Sequence, residues 1–292
     1  MTNHGINTVA VIGAGIMGSQ IAEVFSMQGK CEVRLVDVNE EVVQAGIQLV
    51  GDRLDRFFVS RGRISPDEKN AILNRITGHV GIEKAVEDVD FVSEAVKEDT
   101  SLKKSIFTIL DRHAPPRAVL ASNTSFQNIT EIASVTKRRE QVVGMHFFNP
   151  VSLMKLVEVV RGAHTSPETV EISCALARTL GKEPIVCRDS SYGFLANRAY
   201  MGMVNEAVQM VWERTASPDD IDRAMKLGMG LPAGPLEVWD YAGGWALLIA
   251  SEEDSMRELG PEKGRLHPLI RMMHRSGYRK IYDFWREVFS KW

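Results

Sequence analysis

Two rhythms of apolar and polar positions alternate along the first half of the chain. Val9-Ala10-Val11-Ile12 is a short, wholly apolar run, as expected of a strand buried on both faces of a parallel sheet. Residues 16–28 follow with helical spacing, and Glu32-Val33-Arg34-Leu35-Val36 reads as a second strand that ends at Asp37. Residues 39–61 carry a charged helical pattern. Further strands are predicted at Phe91-Val92, Val119-Leu120-Ala121, Val142-Val143-Gly144-Met145 and Leu156-Val157-Glu158-Val159-Val160, with a helix over 102–113. Strands separated by helices predict a doubly wound α/β domain over residues 1–189. Beyond residue 190 the rhythm changes. Tyr200, Met203, Val204, Ala207, Val208 and Val211 form the i, i+3, i+4 stripe of an amphipathic helix. The rest is rich in Met and Trp and broken by turns near Pro232 and Pro235. A mostly α-helical second domain is predicted over 190–292, with the charged stretch 252–265 read as a solvated loop.

Composition narrows the class. At roughly 150 residues per domain, 292 residues suggest two domains. Hydrophobic residues make up 44% and charged residues 25%, the balance of an ordinary globular protein. The net charge of −3, from 35 basic and 38 acidic residues, is not that of a nucleic-acid binder. No apolar run approaches the roughly 18–20 residues of a membrane span, and no basic leader precedes the first apolar run. The three cysteines, Cys31, Cys174 and Cys187, have no metal-ligand spacing, so no metal site is expected; their odd number points to a reducing, cytoplasmic setting.

The sharpest local motif is Gly13-Ala14-Gly15-Ile16-Met17-Gly18, between a predicted strand and a predicted helix. The first glycine permits a tight turn, the second lets the backbone approach a pyrophosphate, and the third lets helix and strand pack closely. Free N–H groups at the helix start then face the phosphates. Asp37, closing the next strand about 20 residues on, is placed for a ribose 2′-hydroxyl. Its charge repels a 2′-phosphate, which favours NAD over NADP.

Proton chemistry has one candidate centre. His146 ends a predicted strand, where open α/β sheets bind ligands, and imidazole is the usual carrier of one proton near neutral pH. A structural histidine is the competing reading. Glu158 lies in an apolar strand, where an unpaired carboxylate is costly. Either an imidazole partners it, or it is exposed or paired with Lys155 or Arg161. Ser122-Asn123-Thr124-Ser125 is turn chemistry or a substrate contact, with Ser125 left to point at a ligand while Asn128 to Glu131 reads as a capping box. Asn197 shares the apolar stripe of the helix that begins the second half and needs a polar partner, inside the helix start or beyond it.

With these residues in view, the chain resembles the short-chain L-3-hydroxyacyl-CoA dehydrogenase family. The resemblance rests on the glycine loop, on Ala121-Ser122-Asn123-Thr124-Ser125, His146-Phe147-Phe148-Asn149-Pro150, Met154-Lys155-Leu156-Val157-Glu158-Val159 and Gly193-Phe194-Leu195-Ala196-Asn197-Arg198, and on Leu236-Glu237 before Asp240-Tyr241. It implies a Rossmann-like NAD domain and reversible NAD-dependent oxidation of (S)-3-hydroxyacyl-CoA in fatty acid metabolism. His146 is then the base, with Glu158 behind it and Ser125 and Asn197 holding the reacting oxygen. Glu98, Lys103 and Asn149 fall where family members contact the dinucleotide. Arg61 and Arg63 stand in the loop that meets the CoA tail, and the helical domain is expected to form a homodimer. Three segments depart from the family pattern: Ser191-Tyr192-Gly193-Phe194, Arg61-Gly62-Arg63, and the run from Tyr278 to Phe284 with the tail 285–292. Two alternatives stay open. One is an NAD-dependent dehydrogenase of a free 3-hydroxy acid, of the lambda-crystallin, L-gulonate or carnitine type. The other is a dinucleotide-binding protein with little catalysis.

Overall fold

The computed structural model describes residues 5–190, 192–242, 244–250 and 252–291. Ser191, Gly243 and Trp292, which fall in segments discussed above, lie outside them. The chain separates into two compact units, residues 1–190 and 191–292.

The first unit is built on an eight-stranded sheet: β1 (Thr8–Ile12), β2 (Glu32–Asp37), β3 (Ile76–Val80), β4 (Phe91–Glu94), β5 (Val119–Ser122), β6 (Val142–Phe147), β7 (Leu156–Arg161) and β8 (Glu183–Arg188). Helices α1 (Ile16–Met27), α2 (Glu40–Phe57), α3 (Pro66–Asn74), α4 (Thr100–His113), α5 (Ile129–Ala133) and α6 (Pro167–Thr179) connect the strands. The order is β3-β2-β1-β4-β5-β6-β7-β8, parallel except for the antiparallel β6–β7 pair. The chain therefore winds outward from β1 in one direction and from β4 in the other. The crevice at the carboxyl ends of these two strands is the switch point where such sheets bind ligands. β1, β4, β5 and β6 are buried almost throughout, which is why each carries a short apolar run.

Two strands went unpredicted. β3 (Ile76-Thr77-Gly78-His79-Val80) and β8, which contains Pro184, are the sheet edges and are largely exposed. An edge strand needs no continuous apolar run and tolerates proline.

The second unit is helical: α7 (Ala196–Trp212), α8 (Pro218–Met229), α9 (Pro235–Ala242), α10 (Gly244–Ala250), α11 (Glu252–Leu259), α12 (Pro261–Gly264), α13 (Pro268–Arg275) and α14 (Ile281–Glu287). The stripe predicted on α7 supplies Val204, Ala207, Val208 and Val211 to its core, with Trp245 and Phe284. The predicted loop at 252–265 is instead two short helices. Most of its charges, such as Glu253, Arg257 and Lys263, are exposed as expected, but Glu252 is ordered: it accepts from Leu266 N at 3.0 Å and from Arg271 Nε at 3.2 Å. A Cβ at Gly264 would sit 2.2 Å from Ser255 O, so glycine there lets α11 and α12 close together. The divergent tail is core material. Asp240 accepts the backbone N–H groups of Ile281 (2.8 Å) and Tyr282 (3.2 Å) at the start of α14, and Ile281, Phe284 and Phe289 are buried.

Candidate active site

The connection from β6 to β7 spans only residues 148–155. A link this short returns the chain antiparallel, whereas a parallel return needs a longer crossover. The register it sets pairs His146 with Glu158. Directly paired residues project from the same face of a sheet, and here both side chains point inward. His146 is 3% exposed and Glu158 0%. Glu158 Oε2 lies 2.8 Å from His146 Nδ1, and Ser125 Oγ lies 3.1 Å from Nε2. A buried carboxylate holds the ring proton on Nδ1, and Nε2 is left to accept. The Phe148 ring covers the imidazole at a centroid distance of 4.4 Å. The imidazole partner for Glu158 is thus the arrangement present, and neither Lys155 nor Arg161 takes that place.

Ser125 is held from behind. Its N–H donates to Glu98 Oε1 at 2.6 Å, and Thr124 Oγ1 donates to Glu98 Oε2 at 2.8 Å. Asn123 Oδ1 accepts from Phe147 N at 2.8 Å, which ties this loop to the residue after His146. Asn128 caps α5 by accepting from Glu131 N at 2.8 Å. The Glu131 carboxylate turns instead to Lys104 at 3.0 Å, so half of the expected capping box forms.

Of the residues expected at the dinucleotide, Gly13, Gly15 and Asp37 line a cleft of about 560 Å³ at the ends of β1, β2 and β4, with Val38, Ile82 and Val96 also among its walls. Gly13 has φ +105°, and a Cβ there would lie 2.7 Å from Ala95 O. A Cβ on Gly18 would overlap Gly13 O at 1.7 Å, whereas one on Gly15 would meet nothing within 4 Å. Two of the glycines thus serve the chain's own packing, and Gly15 opens space for a ligand. No described side chain caps the start of α1, so its N–H groups suit phosphates. Ile16 is exposed beside this opening and Met17 packs on the core. Asp37 braces the loop as well as facing the cleft: Oδ2 accepts from Ala14 N at 2.7 Å and Oδ1 from Val38 N at 2.8 Å. These features fit an NAD dinucleotide.

Lys103, placed by the resemblance at the dinucleotide, is held by carboxylates. It is 1% exposed, and its ammonium lies 2.8 Å from Glu94 Oε1 and 3.4 Å from Glu98 Oε2. An ammonium taken from water needs such partners, so Lys103 faces these carboxylates rather than an open cleft. Asn149 is exposed, and its Oδ1 accepts from Gln20 Nε2 at 3.0 Å. Arg61 and Arg63 flank Gly62 on an exposed turn. Arg53, Arg56 and Arg61 bring their guanidinium carbons to 5.6, 5.2 and 5.7 Å from the Phe57 ring centre. Asn197 is half-buried in the first turn of α7, in the other unit.

Sequence reasoning missed three supports: Gln20, Asn123 and Glu94. Gln20 is a polar residue inside the apolar α1, and its Oε1 accepts from Val151 N at 2.9 Å. Behind the same loop lies Glu23, whose carboxyl burial pushes above the usual range against the pull of Arg53 at 2.8 Å. Lys182, held below the ordinary lysine range by burial, donates to Met154 O at 2.9 Å and to Val151 O. Among the described residues, no group of three or more His, Cys, Asp or Glu is placed to hold a metal ion, and no helix is long and apolar enough to cross a membrane.

Comparison with known proteins gives these features a family. Residues 8–190 match the model described as 3-hydroxyacyl-CoA dehydrogenase, NAD binding domain, and residues 193–280 match that of the C-terminal domain. The chain is 41% identical over 285 residues to a probable 3-hydroxybutyryl-CoA dehydrogenase of Bacillus subtilis, covering 96% of this chain and 98% of that one. It is 35% identical over 291 residues to the mitochondrial hydroxyacyl-coenzyme A dehydrogenase of Rattus norvegicus, covering 98% and 91%. The crystal structure of (S)-3-hydroxybutyryl-CoA dehydrogenase from Ralstonia eutropha matches with a TM-score of 0.87 at 38% identity, covering 94% of this chain and 95% of that one. The protein, with an N-terminal NAD-binding unit and a helical C-terminal unit, is a member of the 3-hydroxyacyl-CoA dehydrogenase family.

Proposed function

We propose that this protein catalyses the reversible oxidation of an (S)-3-hydroxyacyl-CoA to the 3-oxoacyl-CoA, with NAD as the oxidant. The observation that carries the reading is the chain of contacts Ser125 Oγ, His146 Nε2, His146 Nδ1 and Glu158 Oε2 at 3.1 and 2.8 Å. His146 Nε2 accepts the proton of the C3 hydroxyl. Glu158 fixes the ring through Nδ1 and stabilises the imidazolium that forms. Ser125 Oγ orients the substrate oxygen, and on the family's pattern we assign Asn197 to the same oxygen. Such positioning contributes several kcal/mol to a barrier. In reverse, the imidazolium returns the proton to the alkoxide. NAD, when bound, supplies the nicotinamide carbon that takes the hydride from C3.

The glycine loop of Gly13, Gly15, Ile16, Met17 and Gly18 is assigned to the pyrophosphate, Asp37 to the ribose, and Glu98 and Asn149 to the nicotinamide end. Lys103 acts on that end through Glu98. Arg61 and Arg63 are assigned to the phosphates of CoA, where a guanidinium offers a planar fork. The 191–292 unit is read as the substrate and homodimer domain. A cytoplasmic location accords with the free thiols of Cys31, Cys174 and Cys187.

The test is a panel of 3-hydroxyacyl-CoA thioesters of four to sixteen carbons, with L-gulonate and carnitine beside them, followed by NADH absorbance. Turnover confined to thioesters is expected. Turnover of the free hydroxy acids alone, or tight NAD binding with no turnover at all, would overturn the proposal.

A further inference from the structure

A second carboxylate lies inside an apolar strand. Glu94 closes β4, is wholly buried, and pairs in register with Ser122 of β5. Its Oε1 accepts from Val96 N and from Lys103 Nζ, both at 2.8 Å, and its Oε2 accepts from Ser122 Oγ at 2.5 Å. Two routes lead onward. Ser122 Oγ accepts from Thr124 N at 3.3 Å. Lys103 Nζ reaches Glu98 Oε2 at 3.4 Å, and Glu98 takes Thr124 Oγ1 at 2.8 Å and Ser125 N at 2.6 Å. Both routes converge on residues 124 and 125, immediately before the hydroxyl that stands 3.1 Å from His146 Nε2.

We infer that Glu94 is a positioning residue for proton transfer: through Ser122, and through Lys103 and Glu98, it sets where Ser125 Oγ stands against His146 Nε2. The inference rests on the reading of Ser125 and His146 given above.

The physical argument concerns what Glu98 would do alone. Its side chain is 27% exposed, so water competes for its carboxylate. The buried Lys103 ammonium holds Glu98 inward, and Glu94 holds the ammonium. With the charge of Glu94 removed, Glu98 is the carboxylate that remains within 4 Å of Lys103 Nζ among the described residues, and the ammonium closes on it. That movement draws Glu98 from the Ser125 N–H and shifts the Oγ. Since charge-assisted hydrogen bonds are short and directional, the displacement passes along the network rather than dissipating in the loop.

The experiment is a double-mutant cycle on the full-length protein with 3-hydroxybutyryl-CoA and NAD. Glu94→Gln keeps the side-chain volume and removes the charge. We expect kcat to fall by about 10–100-fold, the range of a small misplacement of a reacting group. In a Ser125→Ala background the same substitution costs less than about threefold, because the group it positions is gone. A full, additive loss in that background shows that Glu94 acts on the fold alone and overturns the proposal. Wild-type turnover of Ser125→Ala itself removes Ser125 from the mechanism, a failure of the earlier reading that the single variant identifies. Should Glu94→Gln not fold, Ser122→Ala opens one of the two routes by itself and enters the same cycle; coupling to Ser125→Ala supports the proposal and additivity overturns it.

Discussion

Glu158 stands directly opposite His146 across the antiparallel β6–β7 pair, with Oε2 2.8 Å from Nδ1. The side-chain period of a strand is two, so a slip of one residue would turn Glu158 to the opposite face. The register of one strand pair therefore decides whether the imidazole has its orienting partner.

That relationship makes His146 and Glu158 separable by experiment. His146→Gln removes the base and is expected to lower kcat by about 10²–10⁴-fold, with NAD affinity retained. Glu158→Gln keeps the shape and leaves the ring without an anionic partner, so kcat falls by a similar order while the KM for thioester changes little. Stopped-flow NADH formation and NADH fluorescence titration measure the two quantities. Near-normal kcat in either variant removes that residue from its proposed role.

The glycine loop offers a contrast between binding and folding. Gly15→Ala adds a methyl into open space, so thermal stability stays near wild type while NAD affinity drops by about tenfold, or 1.4 kcal/mol. Gly18→Ala drives a methyl into Gly13 O and is expected to destabilise the protein by about 1–3 kcal/mol. Thermal melts with and without NAD distinguish them. A destabilised, fully NAD-competent Gly15→Ala would show that the opening is not the phosphate site.

Much of this arrangement was legible in the sequence, and the gaps have physical causes. Strands buried on both faces, such as β1 and β5, announce themselves as apolar runs. The edges β3 and β8 do not, because both are largely exposed. Glu158 stood out as a carboxylate in an apolar strand. Glu94 did not stand out, because it follows Ser93 beyond the apolar pair Phe91-Val92, and only the fold shows that it closes β4 fully buried. The partners of Lys103 were not legible, because Glu94 and Glu98 lie nine and five residues away along the chain and only the fold brings them to its ammonium. Glu252 and Arg271 hid the helices at 252–264 in the same way: charges that pair across 19 residues look, along the chain, like a loop.

The divergent tail is expected to be structural. Phe284 is 1% exposed, and its ring lies 5.4 Å from Tyr278 and 6.1 Å from Phe289. Phe284→Ala should cost about 3–5 kcal/mol, whereas Lys291→Ala, on the exposed last turn, should leave the melting temperature within experimental scatter. Equal melting temperatures for the two variants would mean that the tail contributes nothing to the helical core.

Asp99 links pH to the helix that carries Lys103. Its Oδ1 accepts from Leu102 N at 2.9 Å at the start of α4, and that hydrogen bond, the largest influence on it, holds its carboxyl below the ordinary 3.8. A carboxyl depressed in the folded state stabilises it above the unfolded value, and the contribution is lost as pH falls through the folded one. Asp99→Ala should therefore melt below wild type at neutral pH, with the gap closing as pH drops below 3.8. Asp99→Asn, which retains a capping oxygen but no titrating group, should sit close to wild type near neutrality and rise above it in acid, where wild type loses the contribution of its carboxylate. Melting temperatures of the three proteins across an acid-to-neutral series measure this, and a gap for Asp99→Ala that persists unchanged into acid would mean that the capping carboxylate is not its source.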